Sequence, residues 1–348
     1  MHIPDGYLSP QTCGVLGAAS AVTTAVSTYK TAKTVKARYI PLLAIGAAFS
    51  FLIMMFNVPI PDGTTAHGVG GALLAVVLGP WAAFISISIA LIIQALFFGD
   101  GGILALGANI FNMAFILPFA AYFIYRWISG QSPVTAKRRW IAAGFAGYIG
   151  LNLAALAAGV ELGLQPLLFR AADGTPLYSP YGLGMAVPAM ALAHLLVAGP
   201  VEAVISGLVV SYLQKANPDL LTLRASAAGS EPPRWKKILP ALGILALLSP
   251  LGLLAQGTAW GEWSVEEIQA RLGFAPAGME KLAGFWKPLL LPDYSIKGWD
   301  QTFWQQAVGY IAAAIGGLVL IMIIVLIVQK LMAKGEKKDE TTGLAARK

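Results

Sequence analysis

Apolar residues run along this chain in long, nearly unbroken blocks, and the polar and charged residues gather in the gaps between them. Blocks near residues 11–29, 40–56, 69–78, 81–98, 105–125, 140–160, 185–213, 238–255 and 307–329 each read as a helical segment, nine in all. The block from Ala307 to Val328 alone suffices to cross roughly 30 Å of hydrocarbon as a helix. A transmembrane barrel would show alternating segments of about ten residues instead. The third block is short, opens with Gly68, Gly70 and Gly71, and is separated from the fourth by Gly79 and Pro80. It is expected to form a short or re-entrant helix buried in protein.

Composition supports an all-α integral membrane protein. Of 348 residues, 57% are hydrophobic and 12% charged, against about 25% charged in a soluble domain. The net charge of +7 is spread over clusters between the apolar blocks, the pattern of cytoplasmic loops, and implies no nucleic-acid partner. With nine spans and the N-terminus outside, 19 of the 24 Lys and Arg residues fall in inside loops, at 30–38, 126–139, 215–237 and 330–348. Removing the third span would put the clusters at 126–139 and 215–237 outside, against the positive-inside tendency. The expected fold is therefore a multi-pass protein of the cell membrane. A seven-span bundle precedes a two-span tail, with the N-terminus outside and the C-terminus inside.

The gaps suggest domain boundaries. Residues 215–237 are polar and contain Pro218, Pro232 and Pro233, so they read as a cytoplasmic linker between a body at 1–214 and a two-helix domain at 238–332. A solvated tail follows at 333–348. The long loop 256–306 is external and carries Trp260, Trp263, Trp286, Trp299 and Trp304, which suit the membrane surface or the body. Ser264 and Glu267 have the spacing of a capping box for a short helix near 264–272. On the first span, Gly14, Gly17, Ala18, Ala21 and Ala25 suit close packing within the chain or against a partner helix.

The scarce chemistry is telling. A single cysteine, Cys13, excludes a disulfide framework, an iron–sulfur cluster and a thiolate zinc site within one chain. No G-x-x-x-x-G-K-[ST] phosphate loop is present, so that motif supplies no ATPase. The first basic residue is Lys30, preceded by Asp5 and other polar residues, which does not resemble a secretory signal; retention of the N-terminus is expected.

Only three histidines occur, and one is His2. In that position the terminal amine of Met1, the backbone nitrogen of His2 and its Nδ1 can close two fused chelate rings on one metal ion. Planar nitrogen sets suit Ni(II) or Cu(II), and use of the peptide nitrogen requires its deprotonation. A second imidazole would complete the square. The expected topology puts His67, in a glycine- and proline-rich loop, on the same outer face. Asp5, Asp62 and Asp100, also outer-face and beside glycines, suit turn chemistry and equally the orientation of a ligand imidazole. His194 and Glu202 lie two helical turns apart within one span, as an intramembrane packing pair or a coupling pair.

These residues form a recognisable pattern. Met1-His2-Ile3-Pro4-Asp5-Gly6-Tyr7-Leu8-Ser9-Pro10, then Asn57-Val58-Pro59-Ile60-Pro61 with Thr64, Thr65, His67 and Gly70-Gly71, resembles the substrate-specific M component of nickel and cobalt energy-coupling-factor transporters, the NikM/CbiM family, over about residues 1–214. The tail, with Ser249-Pro250-Leu251-Gly252 and Gly257-Thr258-Ala259-Trp260-Gly261-Glu262, resembles a fused N component, as in NikMN-type proteins. The resemblance implies a metal held by the Met1 amine, the His2 backbone nitrogen and imidazole, and the His67 imidazole. Its cargo would be Ni(II), or alternatively Co(II), with no resident cofactor and no catalytic residues. Its partners would be a T-type transmembrane coupling subunit and cytoplasmic ABC ATPases. Two other classes stay open: a metal-dependent membrane enzyme, which would keep a metal position open for water, and a secondary carrier. The carrier would need ligands near the bilayer midplane, where His194 and Glu202 are available.

Overall fold

The computed structural model describes residues 1–34, 40–60, 64–221, 238–255 and 257–345. Most of the expected linker at 215–237 and the candidate Asp62 therefore lie outside the described residues.

The chain is mainly helical, and each of the nine apolar blocks forms a helix. These are α1 (Pro10–Thr34), α2 (Ile40–Met54), α3 (Gly71–Leu78), α4 (Pro80–Phe98), α5 (Leu106–Ser129), α6 (Lys137–Leu168), α7 (Leu183–Ala216), α8 (Leu239–Leu254) and, after two short surface helices, the long α11 (Phe303–Ala345). Among the described residues, α4, α5, α6, α7 and α11 up to Ile327 are long and apolar enough to cross a membrane. The third block is the short buried helix expected: α3 has eight residues, about 12 Å at 1.5 Å per residue. It starts after Gly70 and stops at Gly79, both with positive φ, and Pro80 opens the next helix. Its first five residues are buried, so its backbone is sheltered from lipid.

One feature departs from an all-helical fold. Val58–Ile60 (β1) and Thr64–Ala66 (β2) pair as an antiparallel hairpin, with Val58 opposite Ala66 and Ile60 opposite Thr64. Val58 and Ile60 each precede a proline, which biases them to extended backbone. Two three-residue strands are too short to register as an alternating pattern, but they deliver His67 immediately after β2.

Helices α4, α5 and α7 each contain a π-helical turn, at Gln94–Phe98, Ile110–Ile116 and His194–Ala198. The latter two run into Pro118 and Pro200, whose missing N–H leaves a carbonyl one turn back without its usual donor. Helix α6 packs between α5 and α7, and α2 packs on α4. The tail is docked on the body: α8 and α11 both pack against α2, and Phe51 of α2 lies where a side chain at Gly317 of α11 would stand.

The long loop between α8 and α11, expected to be external, holds α9 (Val265–Leu272) and α10 (Ala277–Leu282). Ser264 and Glu267 form the capping box anticipated from their spacing. The tryptophans divide: Trp263 is buried beside Trp260 and Tyr181, Trp286 donates to the Leu96 carbonyl at 2.9 Å, and Trp299 and Trp304 are exposed. The small residues of α1 divide as well. Gly17 packs on the Gly107 backbone of α5, while Gly14, Ala18, Ala21 and Ala25 are exposed.

Candidate metal centre

The N-terminus is threaded into the protein. Met1, His2, Ile3, Tyr7, Leu8 and Ser9 are all buried. Several elements hold them. Asn109 of α5 brackets Ile3, accepting from its N–H at 2.8 Å and donating to its carbonyl at 3.1 Å, and Gly102 N–H also donates to that carbonyl. Tyr7 donates its hydroxyl to the Trp263 carbonyl, its own carbonyl accepts from Ser179 N–H, and Ser9 N–H donates to Gln165 of α6. Pro4 and the positive φ of Gly6 turn the segment, and Met279 of α10 fills the space that a side chain at Gly6 would take. The entropy of a floppy terminus, about 1 to 2 kcal/mol per residue, is thus already spent in folding.

The Met1 amine donates to Glu262 Oε1 at 2.8 Å. Glu262 belongs to the tail's long loop, so the tail closes over the site built by the body. The His2 and His67 rings lie side by side with centroids 5.0 Å apart and planes tilted by 32°. His67 Nδ1 donates to the Gly68 carbonyl at 2.9 Å, which leaves Nε2 as a bare lone pair, buried and without a partner among the described residues. An orphaned buried acceptor is costly unless something occupies it. Among the described residues no hydrogen bond falls on the His2 backbone N–H, although Ile3 next to it is bonded on both sides.

His2 faces two acceptors. Its Nδ1 lies 3.1 Å from Asp100 Oδ1 and its Nε2 3.3 Å from Gln94 Oε1. Burial, and then the nearby terminal amine, lower its pKa to about 4, so near neutral pH the ring is uncharged and holds one proton for two acceptors. The ring therefore donates to one of the two at a time, and the contact with Asp100 is not an ion pair. Burial likewise holds His67 well below the usual imidazole range, with the amine and His2 adding to the effect. Both rings are in the neutral form that binds metal.

The candidate carboxylates have distinct positions. Asp5 accepts from the Ile103, Leu104 and Ala105 N–H groups, capping the turn that leads into α5, and is not aimed at the imidazoles. Asp100 joins a network in which Tyr294 donates to it at 2.5 Å and Gln94 donates to both Asp100 and Tyr294. Burial raises the pKa of Asp100. Residues with no signal in the sequence complete the surroundings: Gln94, Asn109, Glu262 and Tyr294, the last two from the tail. Glu262 also lines a cavity of about 590 Å³, together with Asp5, Glu266, Glu267 and Asp293. That cavity opens between the N-terminal segment and the long loop.

His194 and Glu202 both lie on α7. His194 Nδ1 donates to the Met190 carbonyl and its buried Nε2 has no partner among the described residues, whereas Glu202 accepts from the loop that follows His67. Among the described residues no three His, Cys, Asp or Glu side chains converge as a metal-binding group.

A family model described as the cobalt uptake substrate-specific transmembrane region, CbiM, matches residues 2–220, more than half of the chain. The chain belongs to the CbiM family. A second model, the PDGLE domain, matches residues 236–334. A relative from Rhodobacter capsulatus, called fused nickel transport protein NikMN, is 47% identical over 92% of this chain and 95% of its own length. A solved structure described as a transition metal transporter is 62% identical, covers 62% of this chain and 93% of its own, and superposes with a TM-score of 0.58. A truncated transition metal transporter is 61% identical over 61% of this chain and 98% of its own, with a TM-score of 0.57. As a CbiM-family member with five membrane-length apolar helices among the described residues, the chain is a multi-pass membrane protein.

Proposed function

We propose that this protein is the substrate-binding membrane component of an ATP-driven nickel importer. It captures Ni(II) through the Met1 amine, the backbone nitrogen and Nδ1 of His2, and Nε2 of His67. The buried, partnerless Nε2 of His67 beside a buried N-terminal His2 carries the reading. Nickel suits a square of nitrogens that includes a deprotonated peptide nitrogen. The relative matched along nearly its whole length is called a nickel transport protein, which favours Ni(II) over the Co(II) of the family description. Four nitrogen donors in a plane leave no equatorial place for a catalytic water, which argues against a metal-dependent enzyme.

In this reading Gln94 Oε1 accepts from His2 Nε2–H and so leaves Nδ1 for the ion, with Asp100 and Tyr294 holding Gln94 in place. Glu262 retains a neutral, ligating amine through one of its remaining N–H groups. The body at 1–214 binds the ion and the tail at 238–332 covers it, joined by the linker at 215–237. The seven-plus-two span count and an outside N-terminus agree with the positive-inside distribution. Release into the cell depends on a T-type coupling subunit and cytoplasmic ABC ATPases in the cell membrane, since the chain has no phosphate loop of its own. Ni(II) titration of the purified chain with its native N-terminus tests the proposal. One ion per chain with a planar-type absorption band is expected, and octahedral or no binding overturns it.

Glu262→Gln is expected to lower nickel affinity about tenfold, as losses of residues that orient metal ligands do, and to slow loading. Competition titration and stopped-flow absorbance check this, and wild-type values for both would remove the tail from the binding step.

Acid weakens binding in a specific way. A ligand proton must leave before the ion enters, so affinity falls as pH falls. His2 stays unprotonated down to about pH 4, so its imidazole adds nothing between pH 5 and 6.5, and burial shifts His67 in the same direction. There log affinity is expected to fall less steeply with falling pH than it does for a free peptide of the same opening residues. A free peptide of the same opening residues adds its imidazole proton below about pH 6.5. Equal slopes for protein and peptide would refute the buried, neutral site.

A further inference from the structure

Glu202 is fully buried in α7, yet all its described hydrogen bonds go to the backbone of another element. Its Oε2 accepts from Val69 N–H at 2.9 Å and Gly70 N–H at 2.8 Å, and its Oε1 accepts from Ala72 N–H at 3.3 Å. These donors form the entry to α3, directly after His67, where the first N–H groups of the helix lack partners within it. Glycines make the fit possible. A Cβ at Gly68 would stand 3.1 Å from Glu202 Oε2, and one at Gly147 of α6 would stand 3.3 Å from Glu202 Cγ. The same loop contains the Gly68 carbonyl that accepts from His67 Nδ1 and sets the tautomer with a bare Nε2. Upstream, the β1–β2 hairpin packs on the π turn His194–Ala198 of α7. His67 is therefore tied to α7 on both sides.

The other ligands are tied elsewhere. Ile3, next to His2, is held by Asn109 of α5, the His2 ring faces Gln94 of α4, and the Met1 amine is held by Glu262 of the tail. The side chains that hold Met1 and His2 thus come from α4, α5 and the tail, whereas the carboxylate that holds the backbone after His67 comes from α7, although α3 itself also packs on α4 and α5.

We infer that Glu202 is the positioning residue that fixes His67 to α7, so that a shift of α7 relative to α4 and α5 withdraws the fourth nitrogen and frees the ion. This rests on the proposed coordination by Met1, His2 and His67. Glu202 touches no ligand atom; it acts through the backbone of residues 69–72. A carboxylate accepting three N–H groups makes the strong, charge-assisted kind of hydrogen bond. A neutral amide in its place has one acceptor oxygen and turns an NH₂ group toward N–H donors.

The test is a double-mutant cycle on the full chain with its native N-terminus, titrated with Ni(II) alone. Glu202→Ala is expected to lower affinity by roughly 10- to 100-fold, in the range of other ligand-orienting residues, and to change the absorption spectrum in the way His67→Ala does. The double variant is expected to lose no more than His67→Ala alone, because the two residues act as one unit. Glu202→Gln is expected to fall between Glu202→Ala and wild type. If Glu202→Ala does not fold, the cycle is run with Glu202→Gln, for which a several-fold loss, also absent in the His67→Ala background, is expected. Wild-type affinity in the Glu202 variants, or losses that multiply with that of His67→Ala, would overturn the inference. Unchanged affinity in His67→Ala itself would instead overturn the coordination on which it rests.

Discussion

Acetylation of the Met1 amine is expected to abolish tight nickel binding, lowering affinity by more than about 100-fold while the protein stays folded. The acetyl group turns the amine into an amide nitrogen without a free lone pair, so the ring that joins it to the His2 backbone nitrogen is lost. A glycine extension would be a poorer test, because a histidine in position three still closes a planar set with the new amine, two peptide nitrogens and its own Nδ1. The loss on acetylation exceeds the 10- to 100-fold typical of a residue that merely orients a ligand. Folding should tolerate the addition because the amine points at Glu262, and Glu262 lines the cavity of about 590 Å³ between the terminus and the long loop. Ni(II) titration followed by absorbance reads the outcome, with thermal unfolding of the metal-free protein as the control. A stoichiometric planar-type nickel band in the acetylated protein would exclude the terminal amine as a ligand.

The site was partly legible in the sequence because two of its features are local. His2 beside a free amine is chemistry contained within two residues, and His67 lies in a loop marked by prolines and glycines. The helical segments were legible for a similar reason, since an apolar block has to be long to cross hydrocarbon. The hairpin was not, because strands of three residues leave no period to detect, although Pro59 and Pro61 carried its cause. Glu262, Gln94, Asn109 and Tyr294 were hidden because their meaning depends on contacts between residues up to 261 positions apart. Asp5 shows the converse. Its place beside a glycine suited turn chemistry or imidazole support, and the three backbone N–H groups at 103–105 decide for the turn. Glu202 was legible as a buried ionisable group demanding an explanation. Its partner was sought two turns away on its own helix at His194, whereas its carboxylate reaches across to a different one.

His67→Ala is expected to be nearly neutral for the metal-free fold and severe for the loaded one, and this contrast separates a ligand from a packing residue. In the metal-free state the ring contributes one hydrogen bond to the Gly68 carbonyl and a tilted contact with the His2 ring, together about 1 to 2 kcal/mol. Against this, the substitution removes a buried Nε2 with no partner, relieving a desolvation cost of about 1 to 3 kcal/mol. The two effects largely offset each other. With nickel present the balance changes, because the lone pair is then satisfied by the ion. At a free nickel concentration of 100 times Kd, binding stabilises the wild-type fold by about 2.7 kcal/mol. A variant with 100-fold weaker affinity at the same concentration gains only about 0.4 kcal/mol. Unfolding curves with and without Ni(II) should therefore diverge for the wild type and nearly coincide for His67→Ala. A variant that is as strongly stabilised by nickel as the wild type, or that is already several kcal/mol less stable without it, would mark His67 as a packing residue and require another group in the fourth position.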